Sequence, residues 1–176
     1  MTREQPAAEP RFVADAMLGR LARWLRVLGY DTLYDVSWSD DELVRRARAE
    51  NRVLLTRDVA LSRRRGLRTL FVNSDHVEEQ LRQVASELGL EAERAFSRCP
   101  VCNETLEAVP KSWAWGYVPP YTFCTQPEFR LCPECNRFYW RGTHWERMRE
   151  ALCELPGAPE DRHSLERGNH HTAKED

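Results

Sequence analysis

The chain has 176 residues, a formal net charge of −2 and 41% hydrophobic residues, which suits one domain or one domain with a small module. A net charge so close to zero excludes an overall field that would draw the whole molecule to nucleic acid. Residues 1–10 lack the apolar core of a signal peptide, and no apolar run is long enough to span a membrane. We therefore expect a cytoplasmic protein with no membrane partner, in which residues 1–10 form a flexible leader.

The first unit of the chain reads as a strand, an acid and a helix. The apolar run Phe12–Ala14 ends at Asp15, and apolar residues then recur at helical spacing as far as Leu28. Gly29 occupies the position that commonly follows a helix C-terminus. In an α/β protein, an acid at the carboxyl end of a strand lies where such folds bind their ligands. Asp15 is therefore the first candidate site residue.

The same alternation continues through three further strands and helices as far as residue 89. A capping box, with Ser39 as N-cap and Glu42 three residues later, opens the second helix. The predicted strands are 30–35, 52–56 and 67–72, and the predicted helices are 39–50, a short basic helix ending at residue 66, and 76–88. This order predicts a parallel sheet flanked by helices, with right-handed crossovers.

Acids follow several of these strands, and parallel strands all end at the same edge of their sheet. Packed anions need a neutralising cation, and Mg²⁺ and Mn²⁺ prefer oxygen ligands. We therefore predict a Mg²⁺ or Mn²⁺ site of the kind that hydrolyses phosphodiester bonds, with Asp15, Asp41 and Asp58 as ion ligands. The catalytic candidates are Asp15, Asp40, Asp41, Glu42, Asp58 and Asp75.

Each of these acids also has a simpler interpretation as a helix cap. Asp15, Asp58 and Asp75 precede helices, and aspartate is a favoured N-cap residue. The acids at 40–42 lie in a first helical turn, where they complement the helix dipole. Their joint placement on one edge favours a shared ion site, most strongly for Asp15 and Asp58.

Two short copies of one motif, C-P-V-C-N and C-P-E-C-N, mark a change of pattern near residue 97, and 29 residues separate their C-x-x-C pairs. Such spacing indicates a structural zinc site, because four thiolates leave no open coordination position. The predicted zinc ligands are Cys99, Cys102, Cys132 and Cys135. Two disulfides or a redox pair are the alternative, which a cytosolic setting disfavours. Cys124 and Cys153 lack partners at ligand spacing and are predicted to be free thiols.

Aromatic and basic residues are interleaved around the cysteine pairs. This pattern is typical of base stacking and phosphate contacts with single-stranded RNA, although a small module also uses aromatic residues as its core. Arginine clusters on the first two helices and at 63–65 are either RNA backbone contacts or solvated helix faces. The substrate-binding candidates are Arg20, Arg57 and His144. A last helix is predicted from 143 to 155, followed by a disordered polar tail at 156–176.

Four segments in combination resemble the RNase domain at the C-terminus of mut-7-type exonucleases. They are FVADAMLGRLARWLRVLGYD, the DDEL that begins at Asp40, the LLTRD that ends at Asp58, and the paired CPxCN motifs. The resemblance covers about residues 11–150 and implies a PIN-like nuclease core followed by a zinc ribbon. It also implies metal-dependent ribonuclease activity, with Asp15, one or more of the acids at 40–42, and Asp58 as the PIN-type acids, and with Asp75 matching only loosely.

These observations lead to one expected function and two alternative functions. We expect an α/β fold with a PIN-like parallel sheet flanked by helices at 11–96, a small zinc ribbon with a closing helix at 97–155, and Mg²⁺- or Mn²⁺-dependent hydrolysis of RNA. The first rival is a non-catalytic RNA- or ribosome-binding zinc-ribbon protein whose acids are caps. The second, an acid-pocket phosphatase or phospho-receiver, is weaker because Asp15 is not followed by a D-x-D motif.

Overall fold

A computed structural model of the chain describes residues 9–92 and 94–142. Its larger sheet has four parallel strands in the order β2-β1-β3-β4. The strands are β1 (Phe12–Ala14), β2 (Thr32–Tyr34), β3 (Val53–Thr56) and β4 (Thr69–Phe71). The predicted α/β fold with a parallel sheet is therefore confirmed, and β2 and β4 are shorter than the sequence pattern suggested.

Helices cover both faces of this sheet. They are α1 (Gly19–Val27), α2 (Asp40–Ala49), α3 (Val59–Ser62) and α4 (Val77–Leu88). A short 3-10 turn, Ala16–Leu18, separates Asp15 from α1, whereas the sequence pattern predicted a helix directly after the acid. The Tyr34 hydroxyl donates to the Ala16 carbonyl at 3.1 Å and so ties this turn to the end of β2.

Alternating residues of the central strands divide the core into two layers. Phe12, Ala14 and Leu55 pack on one face with the apolar residues of α1 and α4. Val13 and Leu54 pack on the other face with residues of α2 and with Leu61 of α3. Strands that are buried on both faces read as continuous apolar runs, which is why the sequence pattern located β1 and β3 so directly.

The direction of the chain reverses at the centre of the sheet. From β1 it moves outward to β2, and then it crosses back over β1 to form β3 on the other side. The carboxyl ends of β1 and β3 therefore flank a topological switch point, the place where open α/β sheets bind ligands. Asp15 and the loop after Thr56 lie there.

A second, smaller sheet follows the first cysteine pair. It is antiparallel, in the order β5-β6-β7, with strands β5 (Glu107–Val109), β6 (Phe129–Cys132) and β7 (Arg137–Tyr139). A 3-10 turn, Lys111–Ala114, and a short helix, α5 (Pro120–Thr125), connect β5 to β6. The predicted leader up to residue 8, the predicted helix from 143 and the tail at 156–176 lie outside the described residues.

Asp31 joins the two sheets through a hydrogen-bonded network. Its carboxylate accepts bonds from both terminal nitrogens of Arg52, at 2.8 and 3.0 Å, and from the side-chain amide of Asn103 at 2.7 Å. The Arg52 side chain is 4% exposed and also contacts Glu50. Asn103 follows the first cysteine pair, and its side-chain oxygen accepts the Thr32 N–H at 3.0 Å. The first cysteine knuckle is therefore attached at the amino end of β2.

Arg26 strengthens the same attachment from α1. It is buried, its Nε donates to the Thr32 carbonyl at 2.8 Å, and one terminal nitrogen donates to the Val101 carbonyl at 2.7 Å. Burial lowers the pKa of Arg26, and the coulombic influence of the thiols of Cys102 and Cys99 opposes that shift. In the part of the chain that the structure describes, no helix is long and apolar enough to cross a membrane.

Replacing Asp31 by Asn should lower the free energy of unfolding by about 2 kcal/mol at pH 7. Buried Arg52 then loses one of its two acidic partners among the described residues and keeps Glu50. Burial raises the pKa of Asp31, but hydrogen bonds from Arg52 and Asn103 outweigh burial and hold that pKa below its ordinary value. The stabilisation is therefore fully present above about pH 4 and is lost as the pH falls through the lower folded-state pKa. Urea unfolding at pH 7 and pH 3 measures the difference between wild type and variant.

Asp35→Asn is the matched control, because Asp35 lies just beyond the other end of β2 and its carboxylate bonds only to Ser37 among the described residues. We expect this control to leave the urea midpoint at pH 7 nearly unchanged. An equal loss of stability in the two variants, or a loss at Asp31 that is as large at pH 3 as at pH 7, would contradict the assignment.

Candidate functional site

Asp15 lies at the carboxyl end of β1, beside the switch point. Its backbone N–H donates to the Leu55 carbonyl of β3 at 3.0 Å, which holds the residue against the neighbouring strand. Asp15 is only 8% exposed, and its side chain accepts no capping hydrogen bond from the 3-10 turn that follows. The helix-cap interpretation therefore does not explain this carboxylate, and a buried carboxylate calls for a cation or for hydrogen-bond donors.

Thr56, the last residue of β3, links the two strongest candidate acids. Its hydroxyl donates to Asp15 Oδ2 at 2.7 Å, and the same oxygen accepts the Asp58 N–H at 2.9 Å. A hydroxyl has one donor and two acceptor sites, so both bonds form together. Thr56 is fully buried and was not among the predicted site residues. The available signal was a polar residue ending an apolar strand two positions before an acid.

Asp58 is a helix cap, which is one of the two roles considered for it. One oxygen, Oδ1, accepts the Leu61 N–H at 2.7 Å and caps α3. Its other oxygen accepts no hydrogen bond from a described residue, and the same holds for Oδ1 of Asp15. Each acid therefore commits one oxygen to the protein and leaves one available for an ion.

Two further acids, Asp35 and Asp75, lie at the carboxyl edge of the sheet on either side of Asp15 and Asp58, and each contacts a different neighbour. Asp35, at the end of β2, is a further edge carboxylate that the predicted set omitted, and it bonds to Ser37. Asp75 follows β4 and forms an ion pair with Arg57; the side chains are 75% and 23% exposed respectively. Asp75 does not cap α4, because the N-cap position belongs to His76. Arg57, a predicted substrate-binding residue, is therefore paired with an acid in this structure.

The acids of α2 lie in its first turn, as predicted, and two of them contact arginines. Ser39 is the N-cap and accepts the Glu42 N–H at 3.3 Å. The Glu42 carboxylate binds Arg45 and Arg46 instead of returning to Ser39. Hydrogen bonds from Arg45, with a further one from Arg46, hold the pKa of Glu42 below its ordinary value.

The remaining predicted residues of the site are dispersed. Asp40 and Asp41 are exposed, and Asp41 Oδ1 lies 3.3 Å from a terminal nitrogen of Arg64. Arg20 is exposed in the first turn of α1. His144 lies outside the described residues.

The predicted acids do not converge as a preformed cluster of three. Within residues 9–92 and 94–142, the four zinc-ligand candidates are the only group of three or more potential metal ligands whose ligand atoms all lie within 4.8 Å of one another. Mg²⁺ often binds through only one or two carboxylates, keeping waters and substrate phosphate as its other ligands. Asp15 and Asp58, linked through Thr56, are the pair that suits such a site.

The four predicted cysteines meet at one point of the smaller sheet. The Sγ atoms of Cys99 and Cys135 are 3.9 Å apart, and those of Cys102 and Cys132 are 3.4 Å apart. Tetrahedral zinc with Zn–S distances of about 2.3 Å requires thiolates about 3.8 Å apart, whereas a disulfide requires about 2.05 Å. The cluster therefore fits zinc and not disulfides. Cys124 is free and exposed, as predicted, and Cys153 is not among the described residues.

The pKa values of these thiols are shifted in opposite directions, as expected for crowded thiols that await a cation. Burial raises the pKa of Cys99, but hydrogen bonds from the backbone of Cys102, from Tyr139 and from the backbone of Val101 outweigh burial and bring it to about 7. Hydrogen bonding with Cys102 is the largest cause that raises the pKa of Cys135, to about 12. Such crowded thiols do not ionise together without a cation, and four thiolates with this geometry suit zinc.

Both cysteine pairs are tight knuckles that end at an asparagine. The N–H groups of Asn103 and Asn136 donate to the Cys99 and Cys132 carbonyls, each at 2.9 Å. Both asparagines have positive φ, 73° and 53°, a conformation that asparagine tolerates better than most residues. Asn103 therefore has two roles, because its backbone closes the knuckle while its side chain attaches the knuckle to β2.

The aromatic residues around the smaller sheet divide into a core and a surface. Phe129 is buried, and Phe123, Phe138 and Trp140 pack around it, which supports the core interpretation for this half. Four other aromatic residues are exposed, with between 57% and 80% of each residue's surface accessible to solvent. They are Trp113, Trp115, Tyr117 and Tyr121.

The fold and these two centres define a class of protein: a parallel α/β domain with acids at its switch point, joined to a four-cysteine module. A model of the Mut7-C RNAse domain family matches residues 10–152. The chain belongs to this family, which confirms the resemblance drawn from its motifs and indicates a nuclease- or RNA-related function at the family level. No curated protein and no solved structure matched in the corresponding searches.

Replacing Cys132 by Ser should abolish zinc binding, because the site then lacks one of its four thiolates. We expect about one zinc ion per wild-type chain and roughly none in the variant, measured by elemental mass spectrometry. Cys124→Ser, which changes an exposed free thiol, is the matched control and should retain zinc. Equal zinc contents in all three proteins would exclude the four-cysteine site.

Proposed function

We propose that this protein is a ribonuclease in which Asp15 and Asp58 bind Mg²⁺ or Mn²⁺ and hydrolyse RNA phosphodiester bonds with it. The observation that carries the proposal is the contact chain from Asp15 through Thr56 to Asp58 at the switch point of the sheet. The family supports RNA as the substrate class. Asp41, at the start of α2, is the further ligand of the proposal, since an exposed carboxylate can join an ion whose remaining ligands are waters.

Each residue of the pair has a defined task in this proposal. Asp15 and Asp58 hold the ion through the oxygens that accept no hydrogen bond from a described residue. When bound, such an ion supplies Lewis acidity toward the attacking water and the scissile phosphate. Thr56 fixes the orientation of the buried Asp15 carboxylate by donating to Oδ2. The N-cap bond from Leu61 fixes Asp58 in the same way.

The arginines beside the acids provide the phosphate contacts of the proposal. Arg57 lies between Thr56 and Asp58 in the chain, and its ion-pair partner Asp75 is 75% exposed. Exposed ion pairs contribute little stability, so a substrate phosphate can replace Asp75 at the guanidinium. In this arrangement Asp75 and Glu42 position arginines, whereas Asp15 and Asp58 bind the ion. Arg20 and His144 remain candidate substrate contacts on either side.

The exposed rings of the smaller sheet support single-stranded RNA as the substrate form. Unpaired bases stack on exposed aromatic side chains irrespective of sequence. We also propose a division into a PIN-like nuclease domain at 11–96 and a zinc ribbon with its closing helix at 97–155. Separate buried clusters in the two parts support this boundary.

The same rings favour one alternative, a non-catalytic RNA- or ribosome-binding zinc-ribbon protein. Trp113, Trp115, Tyr117 and Tyr121 suit RNA binding whether or not the acids bind an ion. The alternatives differ in one requirement, because only the ribonuclease needs a divalent ion in addition to zinc. Cleavage of a labelled RNA with and without added Mg²⁺ or Mn²⁺ distinguishes them.

The variants Asp15→Asn and Asp58→Asn should each lower cleavage of a labelled single-stranded RNA by about 100-fold or more in Mn²⁺, because an ion's charge stabilisation is worth several kcal/mol. Asparagine at 58 retains the α3 cap, so the loss does not arise from unfolding. Asp35→Asn, at the same sheet edge, is the control and should cleave like wild type. Unchanged cleavage by either ion-site variant at matched purity would refute the site.

Thr56→Val removes the hydroxyl while keeping the shape of the side chain, and it should lower activity by roughly 10- to 100-fold, the usual effect of losing a group that orients a metal ligand. The Mn²⁺ concentration for half-maximal activity should rise. Thr56→Ser restores the hydroxyl and should recover most of both values. If Ser and Val behave alike, Thr56 serves packing and does not position Asp15.

A further inference from the structure

Two depressions lie side by side between α2 and the segment that follows α3. The first, of about 560 Å³, is lined by Asp41, Val44, Arg45, Arg48, Ala49 and Arg64. The second, of about 370 Å³, is lined by Ala47, Arg48, Asn51, Arg52, Gly66, Leu67 and Arg68. Arg48 lines both, and its guanidinium donates to the Arg65 carbonyl at 2.9 Å. The two depressions therefore form one continuous surface, which we call the arginine groove.

The groove runs along α2 from the candidate site toward the opposite edge of the sheet. Asp41 lies in the first turn of α2, which begins at the carboxyl edge of the strands, and it lines the first depression. Asn51 and Arg52 follow the end of α2 and line the second. The ten residues of α2 rise about 15 Å, which gives the groove room for more than one charged group.

The positive charge of the groove is only partly compensated by neighbouring acids. Arg52 is buried and already neutralised by Asp31 and Glu50, so it belongs to the floor. Arg65, beside the groove, and Arg68, in its second depression, are exposed and form no ion pair with another described residue. Because the whole chain has a net charge of −2, this concentration of positive charge is local.

The ion pairs that do occur in the first depression are exposed and exchangeable. Arg64 lies 3.3 Å from Asp41, and the two side chains are 48% and 85% exposed. Arg45, which is 70% exposed, pairs with Glu42 of its own helix. Exposed pairs of this kind are weak, so a stronger anion can take their guanidinium groups.

We propose that the arginine groove binds the phosphodiester backbone of the single-stranded RNA that the candidate site receives. The identity of the strand as RNA substrate rests on the proposed function, whereas the preference of the groove for phosphate does not. Guanidinium groups bind phosphate through paired hydrogen bonds and stay charged at every physiological pH. Among the described residues, no aromatic ring lines either depression, so the groove contacts the backbone and the exposed rings of the smaller sheet are left to contact bases.

An acidic peptide is the other occupant that such a surface suggests. Its side chains would have to meet guanidinium groups spread over two depressions, and a flexible chain of carboxylates loses more side-chain entropy on ordering than a backbone with regularly spaced phosphates. The small apolar part of the lining, from Val44, Ala47, Ala49 and Leu67, also offers little to a folded protein partner. We therefore assign RNA, and a peptide competitor tests the assignment.

The test compares Arg65→Gln/Arg68→Gln with Arg82→Gln/Arg94→Gln. Both double variants remove two exposed positive charges, but Arg82 lies in α4 and Arg94 shortly after it, on the opposite face of the sheet. Binding of a fluorescein-labelled 12-nucleotide oligouridine to the zinc-loaded protein is followed by anisotropy between 50 and 300 mM salt. The buffer contains no Mg²⁺ or Mn²⁺, so binding is measured apart from cleavage. Unfolding midpoints confirm that all variants fold.

The groove variant should bind RNA about fivefold or more weakly than wild type at 100 mM salt. The slope of log affinity against log salt should fall by roughly 1.4, because each phosphate contact on a single strand contributes about 0.7. The control variant should stay close to wild type, since charges on the opposite face are screened at this ionic strength. Equal effects of the two double variants, or no effect of either, would overturn the proposal.

Polyglutamate of matched length, added as competitor, should displace RNA poorly. Competition by polyglutamate as strong as that of unlabelled RNA would overturn the RNA assignment and indicate an acidic peptide. The proposed function can be refuted separately. If the protein binds oligouridine through the groove but does not cleave RNA with Mn²⁺, the groove is confirmed and the ribonuclease is refuted. If RNA is cleaved with no dependence on Arg65 and Arg68, the ribonuclease stands and the groove is excluded.

Discussion

The parallel pairing of β1 with β3 is the constraint on which the candidate site depends. Because these strands are neighbours in the sheet but not in the chain, residues some forty positions apart end at the same crevice. The Asp15 N–H bonds to the Leu55 carbonyl, and the Thr56 hydroxyl bonds to the Asp15 carboxylate. Val13 and Leu54 on one face and Ala14 with Leu55 on the other keep this pairing buried. The packing of the core thus determines where the two acids lie.

The two edges of the parallel sheet have different roles in the structure. At the amino edge, Asn103 attaches the first cysteine knuckle to Thr32 and Asp31, and buried Arg52 binds the same Asp31 carboxylate. At the carboxyl edge, Asp15 and Asp58 face the crevice. The first knuckle is therefore anchored away from the acids, and the smaller sheet contributes to the site through its RNA contacts in our proposal. The arginine groove extends along α2 between the two edges.

Local patterns predicted much of this structure. The apolar runs located β1 and β3, helical spacing located α1, α2 and α4, and the two CPxCN motifs identified the four cysteines that meet in the structure. Each of these features depends on residues close together in the chain. Ser39 and Asp58 are N-caps for the same reason, since a cap contacts the N–H three residues ahead.

Such local patterns could not predict the contacts between segments that are distant in the chain. The polar residue near the end of LLTRD was a local signal, but the bond from Thr56 to Asp15 forms only because β3 pairs with β1. The attachment of Asn103 to Asp31 spans 72 positions and depends on how the knuckle packs on β2. The acids at 40–42 were placed correctly in a first helical turn, but their arginine neighbours, among them Arg64 after α3, depend on tertiary packing.

The central claim is that Asp15 and Asp58 share a divalent ion at the switch point. A crystal structure of the zinc-loaded protein grown with Mn²⁺, with anomalous diffraction recorded on both sides of the manganese edge, tests it directly. The account predicts a manganese peak within about 2.0–2.6 Å of a carboxylate oxygen of each acid, as oxygen ligands of such ions require. The cysteine site should hold zinc alone. A fully occupied manganese site elsewhere, with neither carboxylate as ligand, would contradict the account.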